Sequence, residues 1–413
     1  MTGAAAPAGS SADGCRYNDR LFLPSMRLRL FLAALVAAAL AIAAPIQAQT
    51  VAATAAGTIP PPSLAATAHL LVDVTSGQTL EAVNADERRD PASLTKLMTA
   101  YVVFGALRAK SIQPSQMVNV SERAWRAEGS RMFIEPKRAV SVDELLHGMI
   151  IQSGNDASIA LAELAGGSEE AFVARMNGEA ARLGMAKTHF ANVTGLSAPD
   201  HYSTAADLAK LASAVINDYP EFYPLYAQKE FRYNNISQPN RNRLLWTDPN
   251  VDGVKTGHTE AAGWCLIASA KHGERRVLAV VLGAASDAAR ASEAQKLLNW
   301  GVQAFDTVQL YQSGKAITTL RVWKGTRDDL PAGFLADRYL TLPKGKADKL
   351  ALTMEAQDTL VAPIARAQRV GTVKVALEGR PVGEFPLIAL EDVPAAGFLG
   401  RAWDTVRLWF RRT

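Results

Sequence analysis

Cysteine is nearly missing from this chain of 413 residues; only Cys15 and Cys265 occur. Cys15 falls in a segment expected to be removed, so no internal disulfide is expected in the mature chain. Cys265 sits in the apolar, strand-like run Gly263-Trp264-Cys265-Leu266-Ile267 and reads as a buried packing residue. Histidine is scarce too. His69, His147, His189, His201, His258 and His272 are the full set, and none stands in HExxH or a similar ligand spacing. That argues against a zinc peptidase, and neither metal nor cofactor is expected. No glycine loop leads into a Lys-Ser or Lys-Thr pair that would cradle a phosphate. The net charge of +4 is too small to argue for nucleic acid, and no basic block interleaved with aromatics appears before the extreme C-terminus. The apolar run Leu30 to Ala44 is short for a membrane span.

That run has another reading. Arg27 and Arg29 precede it, and Pro45-Ile46-Gln47-Ala48 offers a cleavage point after Ala48, the pattern of an export signal. Either Met1 or Met26 can be the start. Residues 1–48 are therefore expected to be leader, and 49–67, rich in Ala, Thr and Pro, a flexible linker.

What is present centres on Asp90-Pro91-Ala92-Ser93-Leu94-Thr95-Lys96-Leu97-Met98. Pro91 suits the first turn of a helix, and the apolar run Leu97 to Leu107 supplies its body. Ser93 and Lys96 then stand at i and i+3 on one face. A serine hydroxyl is a poor nucleophile until a base takes its proton, and a lysine amine can be that base if its pKa is lowered. A serine three residues before a lysine also arises by chance, so the pair alone decides little. Two further motifs follow it: Ser153-Gly154-Asn155, on a loop between two helical runs, and Lys255-Thr256-Gly257, on a strand read as the edge of a cleft.

The ordered set S-x-x-K, S-x-N, K-T-G resembles the penicillin-binding protein and serine β-lactamase superfamily. The segments Pro91 to Thr99, Ser153-Gly154-Asn155-Asp156-Ala157 and Val251 to Thr259 are closer still to the low-molecular-mass D-alanyl-D-alanine carboxypeptidases. The resemblance runs from about His69 to the C-terminus. It implies Ser93 as nucleophile and Lys96 as general base, with Lys255 adding a like charge that keeps Lys96 neutral. Ser153, hydrogen-bonded to Lys255, would relay a proton to the leaving amine, and Asn155 would position the substrate amide and Lys96. The backbone N–H groups of Ser93 and His258, next to Gly257, would form an oxyanion hole. Thr256 and Arg241 would bind a terminal carboxylate, with Arg243 a near rival for the second role. Peptidoglycan stem peptides are the implied substrate and β-lactams the implied covalent inhibitors.

Alternatives remain. A serine β-lactamase of class A uses a glutamate on a loop after S-x-N; residues 181–220 contain no Glu, and Gly154 replaces the usual Asp. A DD-endopeptidase or transpeptidase acting on cross-links is poorly separated by sequence, whereas an idle peptidoglycan-binding scaffold is disfavoured because all three motifs are intact.

The fold class expected is α/β. A β-lactamase/transpeptidase-like catalytic domain over 68–307, an antiparallel sheet flanked by helices, precedes a small all-β domain over 308–394. There Leu350, Leu352 and Met354, and Val373, Val375 and Leu377, alternate with polar or small residues. Residues 395–413 read as an amphipathic helix. Phe398, Leu399, Ala402, Trp403, Val406, Trp409 and Phe410 fall in one arc, and basic residues crowd the other. That pattern suits an anionic membrane surface. The expected location is the periplasmic face of the bacterial inner membrane, with 396–413 as a peripheral anchor.

Overall fold

A computed structural model describes residues 59–411. The expected leader and the first part of the expected linker lie outside them. From Ile59 onward the linker is not free. Trp300 Nε1 donates to the Ile59 carbonyl at 2.9 Å and the Ala65 amide to Glu293 at 3.2 Å. The Ala-rich composition suggested flexibility because backbone contacts of this kind leave no sequence pattern.

Near-continuous apolar runs, buried on both faces, build the centre of a five-stranded antiparallel sheet. Strands β1 (Ala68–Asp73) and β2 (Gln78–Val83) form a hairpin closed at Gly77, whose positive φ of 77° suits glycine. Strands β3 (Val251–Thr259), β4 (Gly263–His272) and β5 (Arg275–Ala284) complete the order β2-β1-β5-β4-β3. Leu70, Val72, Ile267, Leu278 and Val280 point to a core of helices on one face. Leu71, Leu266, Ala268, Ala279 and Val281 point to the opposite face. With both faces covered, the edge strand β3 is left to line a cleft.

On the first face lies helix α1 (Lys96–Arg108), in which nine of 13 residues are buried, so it runs through the core and not over it. Helices α2 (Asn155–Gly166) and α3 (Ala205–Asp218) pack around it. The side chain of Thr204 caps α3 by accepting from the Asp207 amide at 3.1 Å. Helix α4 (Asp287–Ala304) covers the second face, capped by Ser286, which accepts from the Ala289 amide at 3.0 Å.

Strand Phe305–Tyr311 follows α4 directly, ahead of Val308, where the texture of the sequence changes. The strands from Phe305 onward form a two-stranded and a six-stranded sheet. Val373 and Val375 are buried, but Leu352 and Met354 opposite them are 48% and 42% exposed. Their strand, Leu350–Ala356, is a sheet edge, so the alternation there marks register without full burial. Polar ties hold this region to the first hairpin. The Asp73 carboxylate accepts from Arg275 at 2.8 Å and Thr307 at 2.6 Å, and Gln78 exchanges hydrogen bonds with the backbone of Thr341.

Helix α5 (Phe398–Arg411) docks by its polar side. Asp404 is buried and accepts from the Lys324 amide at 2.6 Å. Leu399, Trp403 and Trp409 stay 82%, 64% and 65% exposed. Among the described residues no helix is long and apolar enough to cross a membrane.

Candidate active site

Ser93 lies in a short 3₁₀ turn, Ala92–Thr95, that leads into α1. The turn is tighter than the α-helix expected, and residues i and i+3 eclipse in such turns. Lys96 Nζ accordingly stands 3.0 Å from Ser93 Oγ. Ala92 has a positive φ of 48°, held by its amide donating to Asp90 at 2.8 Å. Gly195 packs on this turn: a Cβ there would fall 1.8 Å from the Ala92 carbonyl oxygen, so only glycine fits.

Lys96 is 1% exposed, and its ammonium also reaches the Thr194 carbonyl at 2.5 Å. Burial, then the Arg241 charge, lowers its pKa to about 7, against a smaller opposing effect of Asp156. Arg241 thus adds a like charge beside Lys96 that the sequence reading did not anticipate. Lys255 is also buried and its pKa is held well below the ordinary lysine range, by burial first and then by Lys96, Arg241 and Arg290.

Ser153 ends a π-helical turn, Gly148–Gln152, in the left-handed region with φ of 67°. Its hydroxyl and the Asn155 Oδ1 are buried without a protein partner, and both residues line the cleft. The expected Ser153–Lys255 hydrogen bond is not formed, because Lys255 Nζ turns to the Thr256 carbonyl at 3.2 Å. Asn155 does not bond Lys96 either; its amide donates to the Glu128 carbonyl at 2.6 Å.

The cleft, about 860 Å³, brings together Ser93, Ser153, Asn155, Thr256, Gly257, His258 and Arg241. Lys96 and Lys255 sit buried beneath it. Strand β3 lies so close to the Ser93 turn that a Cβ at Gly257 would stand 3.1 Å from the Ala92 Cβ. Arg243 is ion-paired to Asp287 at 2.5 Å, whereas Arg241 has no ion pair among the described residues.

Sequence reasoning missed several supports. Asp156 accepts from the amides of Met132, Phe133 and Ala157 at 3.0, 2.8 and 2.9 Å, which pins the Gly129–Ile134 loop over the cleft. Its place beside the S-x-N motif is the one signal available. Arg290 donates to the Gly257 carbonyl at 2.9 Å and stacks on Trp264, which in turn covers His258. Cys265 is buried as expected, and burial raises its thiol to about 11.

Residues 54–286 match the family model described as D-alanyl-D-alanine carboxypeptidase. The chain belongs to this family. A second model, the C-terminal domain of penicillin-binding protein 5, matches residues 305–395 of the carboxypeptidase. D-alanyl-D-alanine carboxypeptidase DacC of Escherichia coli is 45% identical over 86% of this chain and 91% of its own length. Penicillin-binding protein 5 of Haemophilus influenzae superposes with a TM-score of 0.79 at 40% identity, covering 81% of this chain and 99% of that one. Penicillin-binding protein D2 of Listeria monocytogenes, solved in its ampicillin-bound form, aligns at a TM-score of 0.55 and 32% identity over 59% of this chain and 100% of its own.

Proposed function

We propose that this carboxypeptidase removes the terminal D-alanine from peptidoglycan pentapeptide stems through an acyl-enzyme on Ser93. The observation that carries the reading is the 3.0 Å approach of a buried, pKa-lowered Lys96 to the Ser93 hydroxyl. Lys96, once neutral, takes the hydroxyl proton as Ser93 Oγ bonds to the carbonyl carbon of the last peptide bond. The oxyanion that forms is met by the backbone N–H groups of Ser93 and His258; one such donor is typically worth about 10²–10³ in rate. Collapse breaks the C–N bond. The departing amine takes a proton through Ser153, whose hydroxyl is otherwise unpartnered, and water then hydrolyses the ester.

Asn155 Oδ1 would accept from the substrate amide, which would supply its missing partner. Thr256 and Arg241 would hold the free carboxylate. Arg241 is preferred over Arg243 because Asp287 already engages the latter. Two features weigh against a β-lactamase of class A: residues 181–220 hold no Glu, and the group they offer Lys96 is the Thr194 carbonyl. β-Lactams would acylate Ser93 as substrate mimics, in keeping with the ampicillin-bound relative. Labelled penicillin should therefore attach to Ser93, and labelling that survives Ser93→Ala would remove the assigned nucleophile.

The exposed apolar arc of α5 supports a second part of the proposal, peripheral attachment to an anionic membrane on the periplasmic side. The β region would then act as a spacer between membrane and catalytic cleft.

A further inference from the structure

The loop from Phe190 to His201 is bonded to the nucleophile helix at three points, and only two of them are explained by Lys96 and its neighbours. Lys96 reaches the Thr194 carbonyl, and Thr99 Oγ1 donates to the Val193 carbonyl at 2.8 Å. The third point is His201, 3% exposed and not among the residues that line the cleft.

The hydrogen bonds around His201 fix its tautomer. Thr95 has one hydroxyl proton, and its Oγ1 donates to the Ala92 carbonyl at 2.8 Å. The contact of 2.8 Å between Thr95 Oγ1 and His201 Nε2 therefore has the ring as donor. On the other side the Ala191 amide donates to Nδ1 at 3.0 Å, so Nδ1 carries no proton. The ring is neutral, with every polar atom used. Burial also lowers its pKa to about 4, with Asp90 opposing and His189 and Lys96 adding to the shift.

A relay of hydrogen bonds thus runs from the Ala191 amide through His201 and Thr95 to the Ala92 carbonyl. Ala92 immediately precedes Ser93 and is held at positive φ. We infer that His201 is a positioning residue for acylation. Its ring ties the loop that presents the Thr194 carbonyl to Lys96 onto the turn that aims Ser93. This rests on the assignment of Ser93 and Lys96 as nucleophile and base. His201 touches neither substrate nor reacting atoms; it sets the register between the two backbone segments that hold them.

The test is acylation by labelled penicillin, resolved into pre-acylation binding and the acylation rate at saturation. Leucine fills the volume of the ring but offers neither donor nor acceptor. His201→Leu should slow acylation about 10- to 100-fold, the scale of a misplaced reacting group, with binding changed less than about threefold. Glutamine offers the same neutral donor and acceptor, so His201→Gln should recover the rate to within about threefold of wild type. Acylation of His201→Leu at the wild-type rate, or equal loss in the Leu and Gln variants, would overturn the inference. If His201→Leu does not fold, Thr95→Val decides: it removes the hydroxyl with little change in volume and should slow acylation while Thr95→Ser restores it. Wild-type acylation of Thr95→Val overturns the inference equally. Ser93→Ala, run alongside, separates the two readings: label retained there is a failure of the nucleophile assignment and not of His201.

Discussion

The Thr194 carbonyl oxygen lies 2.5 Å from Lys96 Nζ, on the loop that faces the nucleophile helix. A carbonyl can only accept, so it orients the amine without neutralising it. Burial first, and then the Arg241 charge, lower the pKa of Lys96.

A pH profile follows. Lys96 titrates at about 7, and only its neutral form can take the Ser93 proton. Acylation should therefore be flat above that value and fall about tenfold per pH unit below it, as the amine gains its proton. Lys96→Arg, which stays charged at any working pH, should lose at least about 10³ in rate. A profile flat down to pH 5 would assign the proton acceptor elsewhere.

Arg241 and Arg243 should separate kinetically. Losing a charge-assisted contact to the substrate carboxylate costs roughly 1.5–3 kcal/mol, so Arg241→Ala should raise KM about 10- to 100-fold. Arg243→Ala removes a partner of Asp287 and should change KM by less than about threefold. Steady-state kinetics on a peptide with a free C-terminus, beside one with an amidated C-terminus, reads the difference. Equal KM values for Arg241→Ala and wild type would move the carboxylate site.

How far the sequence reached can be judged from these same residues. The three motifs named Ser93, Lys96, Ser153, Asn155 and Lys255, because the proposed nucleophile, base and cation are side chains with a fixed order along the chain. The sequence favours Arg241 with Arg243 a near rival, and the Arg243–Asp287 ion pair that distinguishes them involves a helix distant in sequence. Thr194 and His201 were invisible as partners: one contributes a backbone carbonyl to Lys96 and the other a tautomer set by local bonds together with a contact to Thr95, 106 residues away in sequence. Strands flanked by helices followed from apolar runs and helical periodicity; the cover on both faces of the sheet did not. The edge position of strand Leu350–Ala356 did not, because pairing partners are not written in a strand's own sequence.

Asp156 should matter for stability more than its neighbours. Its buried carboxylate serves amides at Met132, Phe133 and Ala157, and Asp156→Ala leaves them unpaired. The expected loss is about 3 kcal/mol in urea unfolding, near the upper end for a buried unsatisfied group. A loss under 1 kcal/mol would mean that the Gly129–Ile134 loop is held by other contacts.

The C-terminal helix gives a separate prediction. Removing residues 396–413 should abolish sedimentation with vesicles rich in phosphatidylglycerol while leaving penicillin acylation intact. Because Asp404 bonds to the Lys324 amide on the polar side, Trp403→Ser with Trp409→Ser should weaken vesicle binding without loosening the helix. Binding unchanged by the truncation would remove the anchor from α5.

The most direct measurement is D-alanine release from diacetyl-Lys-D-Ala-D-Ala, wild type beside Ser93→Ala. Release by wild type, with none above background from Ser93→Ala, is the predicted result. Release by the variant at a comparable rate would contradict the Ser93 acyl-enzyme. Release by neither, with penicillin still bound by wild type, would contradict the carboxypeptidase turnover itself.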